Sequence, residues 1–272
     1  MERGSENISF LSLKQASSTV LAPNISIILP TFNEAAHIIE TIKQVSDILL
    51  NTNKTFEVLV IDDGSTDNTF KIVQALTILD HRIHVLHNEI NTGKGFSIKK
   101  ATEHIKGDYV IILDADMEIK PKQISTYIDN LMEYDMCIGS KRHPESNYQA
   151  PLTRKFLSIS FNAIVRLLTG IKSDDTQSGL KAFKVNSFRK IMDTILVKRY
   201  AFDVEIMVVA QIMGLKIKEL PINIEQEGKF NINAILYMLV DILGIAYRLR
   251  IIKWYQRRLK LNTLSYNPII PL

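Results

Sequence analysis

Tyr109-Val110-Ile111-Ile112-Leu113-Asp114-Ala115-Asp116 is a run of strand-forming apolar residues that stops at two carboxylates one residue apart. A strand buried on both faces of a parallel sheet reads as such an unbroken apolar run. In open α/β sheets ligands bind beyond the carboxyl ends of the strands, so Asp114 and Asp116 stand where a ligand would enter. Two hard oxygen donors with room for phosphate suit Mg²⁺ or Mn²⁺, ions that take one or two carboxylates and complete their shell with phosphate and water. A D-x-D pair alone arises by chance about once in a chain of this length, so its surroundings decide its meaning.

Upstream, Ile25-Ser26-Ile27-Ile28-Leu29 reads as a buried strand stopped by Pro30. Asn33 is placed to cap a helix with Ile38, Ile42, Val45 and Leu49 at helical spacing. Phe56-Glu57-Val58-Leu59-Val60-Ile61 is a second strand, ending in Asp62-Asp63-Gly64-Ser65. A helix over 66–79, a short strand over 84–87 and a helix opened by Gly93-Lys94-Gly95 lead into the central strand. This alternation predicts an α/β fold with a mostly parallel sheet and helices on both faces. Right-handed crossovers bring Pro30-Thr31-Phe32-Asn33-Glu34, Asp62-Asp63-Gly64-Ser65 and Asp114-Ala115-Asp116 to one edge of that sheet, a convergence that predicts a functional site.

Downstream the pattern predicts a helix after Pro121, a strand over 136–139, and a polar, basic loop over 140–147. The helix over 153–169 crowds Phe156, Leu157, Ile159, Phe161, Ile164, Val165, Leu167 and Leu168 beside Arg154, Lys155 and Arg166, and stops at Gly170. A polar turn, a strand over 180–183, the acidic helix start Phe202-Asp203-Val204-Glu205, one strand over 216–224 and one last helix over 231–259 complete the chain.

The 272 residues, 46% hydrophobic with a net charge of +4, allow a sizeable core. The lone cysteine, Cys137, excludes an intramolecular disulfide and fits a reducing compartment. No apolar run is long enough to predict a spanning helix, and the leader over 1–22 lacks the apolar core of a signal peptide. Basic residues are interleaved with aliphatic ones and few aromatics, which argues against nucleic-acid binding.

Four segments in order, Ile28-Leu29-Pro30-Thr31-Phe32-Asn33-Glu34, Val60-Ile61-Asp62-Asp63-Gly64-Ser65-Thr66-Asp67, Asn91-Thr92-Gly93-Lys94-Gly95 and Leu113-Asp114-Ala115-Asp116, resemble the motifs of the family 2 inverting glycosyltransferases with the GT-A nucleotide-sugar fold. Asp175-Thr176-Gln177-Ser178-Gly179-Leu180-Lys181-Ala182-Phe183, Ala201-Phe202-Asp203-Val204-Glu205 and Glu227-Gly228-Lys229 resemble the polyprenyl-phosphate sugar synthases, and within them the dolichyl-phosphate β-glucosyltransferases. Phe32 and Lys141 stand where that family commonly has Tyr and Arg.

The resemblance implies a nucleotide-sugar donor held by Pro30, Thr31, Phe32, Glu34, Ile61, Asp62, Asp63, Gly64 and Lys94 together with Asp114-Ala115-Asp116. Asp62 or Asp63 would accept from the base, and Glu34 and Thr31 would hold the ribose. Asp114 and Asp116, with Glu118 as a further ligand or neighbour, would carry Mg²⁺ or Mn²⁺ and neutralise the leaving diphosphate. Asp175 and Asp203 would orient the sugar or the cations. The acceptor, dolichyl or polyprenyl phosphate, is already anionic and needs cations more than a base; Lys141, Arg142, Arg154, Ser158 and Lys229 are its candidates.

The implied reaction is hexose transfer with inversion, UDP-glucose being the expected donor and GDP-mannose or UDP-N-acetylglucosamine the alternatives. A sugar-nucleotide pyrophosphorylase should instead carry a Gly-rich basic loop after its first strand, and a non-catalytic nucleotide-sugar binder should have lost a metal carboxylate. The expected organisation is a polar leader over 1–22, a catalytic domain over 23–229, an amphipathic helix over 230–260 and a tail over 261–272. Basic and apolar residues on the 153–169 helix and the last helix, with Trp254 and Tyr255 at the headgroup level, predict a monotopic enzyme docked on the cytoplasmic face of a membrane.

Overall fold

The computed structural model describes residues 23–265 apart from 53, 200 and 226–231. The leader, Lys229 with its Glu227-Gly228 turn, and the end of the tail lie outside the described residues. The apolar runs become β1 (Ile25–Thr31), β2 (Phe56–Asp62), β3 (Ile83–His87), β4 (Tyr109–Leu113) and β5 (Met136–Ser140), and the second half adds β6 (Asn147–Gln149), β7 (Leu180–Lys184), β8 (Ile217–Pro221) and β9 (Asn223–Glu225). Seven of these form one sheet in the order β3-β2-β1-β4-β7-β5-β8, and β6 pairs with β9 in a small parallel ladder. Within the large sheet β7 alone runs antiparallel, hydrogen-bonded to β4 on one side and β5 on the other.

Because side chains alternate across a strand, the sheet divides the core in two. Ile27, Leu29, Val58, Val60, Ile111 and Leu113 face α1 (Ile38–Leu50), α2 (Thr69–Leu79) and α4 (Ile124–Asn130). Ile28, Leu59, Ile61, Val110 and Ile112 face the other layer, with α3 (Lys94–Ala101), α6 (Val185–Thr194), α7 (Phe202–Ile212), and the C-terminal α8 (Ile232–Ala246) and α9 (Trp254–Ser265). The remaining helix, α5 (Leu152–Thr169), packs against α8 and stops at Gly170, whose φ of 73° is the left-handed cap a glycine adopts freely.

Four sequence readings change. β1 continues through Pro30 to Thr31: Ile25 N and Thr31 O bond toward β2, so alternation turns position 30 toward β4, where pairing has already ended at Ile28 and no donor is missed. Asn33 does not cap α1. It sits at φ 59°, its Oδ1 accepts from Thr66 N and Oγ1, and α1 begins only at Ile38. The strand over 216–224 divides, since Ile222 turns its N–H to Ser146 Oγ and its carbonyl to Asn147 N.

The last helix also divides. A π turn over Tyr247–Ile251 and Lys253 at φ 51° fold α9 back against α6 and α7. Tyr255 is accordingly not at a headgroup level but fully buried, and Trp254 packs on the core. Among the described residues no helix is long and apolar enough to cross a membrane.

Candidate functional site

The carboxyl ends of β1, β2 and β4 open onto one cleft of about 460 Å³, lined by Pro30, Thr31, Phe32, Glu34, Asp63, Lys94, Asp114, Ala115, Asp116 and Asp203, and also by Asn91, Gly93 and Arg199. β7, being antiparallel, delivers its amino end to the same edge, so Gly179 O accepts from Asp114 N at 3.2 Å. The Asp114-Ala115-Asp116 turn is pinned on every side. Thr41 Oγ1, reaching from α1, donates to Ala115 O at 3.0 Å, Glu118 N donates to Asp116 Oδ1 at 3.0 Å, and Met117 turns the chain at φ 62°.

Asp63 shapes one wall of the cleft. Its Oδ1 accepts from Asn88, Thr92 N and Thr92 Oγ1, and its Oδ2 from Gly93 N at 2.7 Å. Burial works against this carboxylate, but those donors outweigh it and hold its pKa below the ordinary value. Gly64 follows at φ +73°, where a Cβ would meet the Ile90 carbonyl carbon at 2.5 Å. Asp62 and Ile61 are buried and do not line the cleft; Asp62 Oδ2 lies 2.7 Å from His87 Nδ1.

From the end of that wall, at Lys94, runs a file of alternating charges. Lys94 Nζ lies 2.8 Å from Asp114 and 3.6 Å from Asp203, and Lys181 Nζ lies 2.7 Å from Asp203 Oδ1 while also donating to Ser178 O. Burial lowers the Lys94 pKa, yet Asp114 and Asp203 overcome it and hold the ammonium above its usual value. Burial likewise raises Asp203, and the two lysines bring it down. A lysine inside an apolar strand reads in sequence as a solvated edge position, which hides the role of Lys181. Arg199 and Asn91 had only their neighbourhood to mark them, three residues before Phe202-Asp203 and at the head of Asn91-Thr92-Gly93.

Among the described residues no cation pairs with Asp116 in this way. Burial and the adjacent Asp114 push its pKa up to about 6. A crowded, electron-rich carboxylate pair with no complete three-ligand chelate among the described residues suits a divalent ion that brings phosphate and water as its other ligands. In the metal-free protein, Asp116 is expected to titrate near pH 6. Since that value lies above the unfolded one of 3.8, the group's contribution is fully present below about pH 4 and is lost as pH rises through about 6. Carboxyl-carbon NMR titration checks this, and a midpoint below 5 would contradict it.

Beyond the cleft, Glu118 turns to Arg154 at 3.7 Å, linking the Asp114-Ala115-Asp116 turn to α5. Lys141 and Lys155 both stand over the Tyr148 ring, at 5.7 and 5.5 Å. Asp175 holds Lys141 N at 2.9 Å and Gln177 N at 3.1 Å, and is buried away from the cleft. Arg142 is spent on the carbonyls of Asp174 and Ser158. Next to this basic group α5 exposes Leu152, Phe156, Leu157, Ile159, Ile164 and Leu167, Phe156 being 70% exposed, and α8 exposes Leu236, Tyr237, Val240 and Leu243.

The family model described as glycosyl transferase family 2 matches residues 26–192. A dolichyl-phosphate beta-glucosyltransferase of Trichomonas vaginalis, ALG5A, is 30% identical over 266 residues, covering 92% of this chain and 80% of that protein. The corresponding Saccharomyces cerevisiae enzyme is 28% identical over 221 residues, covering 73% and 66%. Glycosyltransferase AglD of Haloferax volcanii is 28% identical over 247 residues; the alignment takes in 89% of this chain but 39% of AglD. Among solved structures, Mycobacterium tuberculosis glucosyl-3-phosphoglycerate synthase in complex with Mn²⁺, UDP-glucose and phosphoglyceric acid superposes with a TM-score of 0.61 at 16% identity, covering 83% of this chain and 79% of that one. Its complex with Mg²⁺ and UDP gives 0.63 at 17% identity, covering 83% and 78%. At such identities the likeness establishes the GT-A-like fold.

Proposed function

We propose a reaction on the premise that this chain belongs to glycosyl transferase family 2 and is a glycosyltransferase: it moves glucose from UDP-glucose to dolichyl or another polyprenyl phosphate, with inversion, at a membrane surface. The observation that carries this reading is the 3.7 Å contact between Arg154 and Glu118, which sets a basic cluster and the exposed apolar face of α5 directly beside the carboxylate cleft. A lipid with an anionic head needs that juxtaposition. The names of the relatives support the lipid acceptor and the glucose, and the ligands of the solved neighbour support the donor.

Asp63, by fixing the turn from Asn88 to Gly93, shapes the wall on which the base would lie. Asp114 and Asp116 are the residues that would hold Mg²⁺ or Mn²⁺, and a bound ion supplies Lewis-acid neutralisation of the leaving diphosphate. Lys94 and Arg199 line the same cleft and offer the diphosphate further positive charge. Asp203, kept ionised by Lys94 and Lys181, holds the Lys94 ammonium toward Asp114. The acceptor phosphate, drawn by Arg154, Lys141 and Lys155, is itself the nucleophile and requires no proton removal near neutral pH. The apolar rows of α5 and α8 would lie in the lipid interface on the cytoplasmic side, with only the lipid head entering the cleft.

The test is to incubate the purified protein with vesicles containing a polyprenyl phosphate, Mn²⁺ or Mg²⁺, and UDP-glucose, UDP-N-acetylglucosamine or GDP-mannose in turn. Acid-labile lipid-linked β-glucose from UDP-glucose is the expected product. Transfer confined to water-soluble acceptors, or preference for another donor, would overturn the reading. In the same assay Arg154→Ala is expected to raise the KM for the lipid phosphate about tenfold, the loss of one charge-assisted hydrogen bond, with UDP affinity unchanged. A fall in UDP affinity at constant acceptor KM would move Arg154 to the donor side.

A further inference from the structure

Glu205 is fully buried in the first turn of α7, and its two oxygens accept four hydrogen bonds. Oε2 takes the backbone N–H groups of Leu196 at 2.9 Å and Val197 at 2.6 Å; Oε1 takes the Tyr255 hydroxyl at 2.5 Å and the Arg248 guanidinium at 3.2 Å. Arg248 Nε donates in turn to the Tyr255 oxygen at 3.0 Å. One carboxylate thus holds two unrelated parts of the chain. On the Oε1 side is the turn between α8 and α9. On the Oε2 side the segment continues into Lys198, whose carbonyl accepts from Phe96 N at 3.2 Å, and Arg199, which lines the donor cleft and stands against Gly93.

We propose that Glu205 is a positioning residue that couples the seating of the C-terminal helices to the placement of Arg199 and Lys94 at the cleft. Nucleotide binding and seating of α8 and α9 then favour one another. The proposal rests on the donor reading of the cleft. Such coupling needs an element that can shift, and Lys198 and Arg199 line a second cavity of about 230 Å³ together with Tyr237 and Asp241 of α8, which leaves room beside the 196–199 segment. It also needs acceptors on both sides of one side chain. Glutamine cannot replace glutamate here, because in either orientation its NH₂ group faces the two backbone donors or faces Arg248 and Tyr255.

Trp254, the single tryptophan of the chain, precedes Tyr255 and packs on the core, so its emission reports the seating of α9. Coupling between sites is reciprocal. Adding UDP with Mn²⁺ to the full chain is therefore expected to shift Trp254 emission, and Glu205→Gln is expected to abolish the shift and weaken UDP binding roughly tenfold. Tyr255→Phe, which keeps the carboxylate and its Arg248 partner, should give an intermediate loss and serves if the Gln variant does not fold. Without nucleotide, amide exchange in Tyr255→Phe should rise both over 93–99 and over 196–199. Exchange that rises only within α9 would overturn the coupling whether or not UDP binds. Wild-type protein that binds no nucleotide would sink the donor reading instead and leave the exchange result to decide the proposal.

Discussion

Asp116→Asn is expected to lower turnover by at least about a hundredfold and, in the metal-free protein at pH 8, to raise the thermal midpoint. The two effects share one cause. Asp116 is a carboxylate that folding disfavours in its charged form, since burial and Asp114 push it up to about 6. Asparagine keeps the shape and the Oδ1 acceptor for Glu118 N and removes the repulsion, but it also removes the negative oxygen a divalent ion requires. Asp114→Asn should lose as much activity without the gain in stability, because Asp114 already has Lys94 at 2.8 Å. Turnover by a metal-loaded Asp116→Asn protein within threefold of wild type would discard the two-carboxylate site, and an unchanged midpoint would discard the account of its strain.

Lys181→Met is expected to cost about 3 kcal/mol of stability, the lower end of what breaking a buried ion pair costs. Lys181 is 2% exposed at the centre of the sheet, between Ile112 of β4 and Ile138 of β5. Its loss leaves Asp203 with Lys94 alone, at 3.6 Å, and leaves Ser178 O without its donor. The urea midpoint should fall with an unchanged slope. A second change, Asp203→Leu, should restore part of the lost stability while leaving the enzyme inactive, since no charge then remains buried without a close partner. A Lys181→Met protein as stable as wild type would mean that the pair adds nothing to the fold.

Much of this architecture is written in local patterns. Apolar runs ending in polar clusters marked β1, β2 and β4, and the shared hand of the crossovers brought Thr31, Asp63 and Asp114 to one cleft. What escaped was long-range. Nothing in Leu180-Lys181-Ala182-Phe183 states which way that strand runs or that it lies between β4 and β5, so Lys181 could not be seen as central. The apolar spacing from Ile232 to Tyr255 runs on past Asp241 with no evident break, and spacing does not say which face finds a partner. The break at Lys253 and the buried contacts of Arg248 and Tyr255 with Glu205 became visible only in three dimensions. Glu118 and Asp175 sat in acidic motifs, but one is turned to Arg154 and the other to backbone N–H groups.

The antiparallel β7 also governs how the chain must be made. Translation delivers β4 and β5 long before Leu180, and until β7 arrives both strands present naked, strongly apolar edges to one another and to any neighbouring chain. A nascent chain halted near residue 170 would hold most of the cleft-lining residues, yet its sheet would stop at β4, since β5 pairs only with β7 and β8. Such an intermediate is the stage at which this protein would depend on chaperones and would be open to strand exchange with its own copies. The strand that joins β5 to β4 is also the one that brings Gly179 against Asp114, with a hypothetical Cβ only 2.4 Å from Asp114 Oδ2. The strand that ties β5 to the rest of the sheet thus also sets the backbone beside Asp114, so the middle of the sheet and this side of the cleft form together.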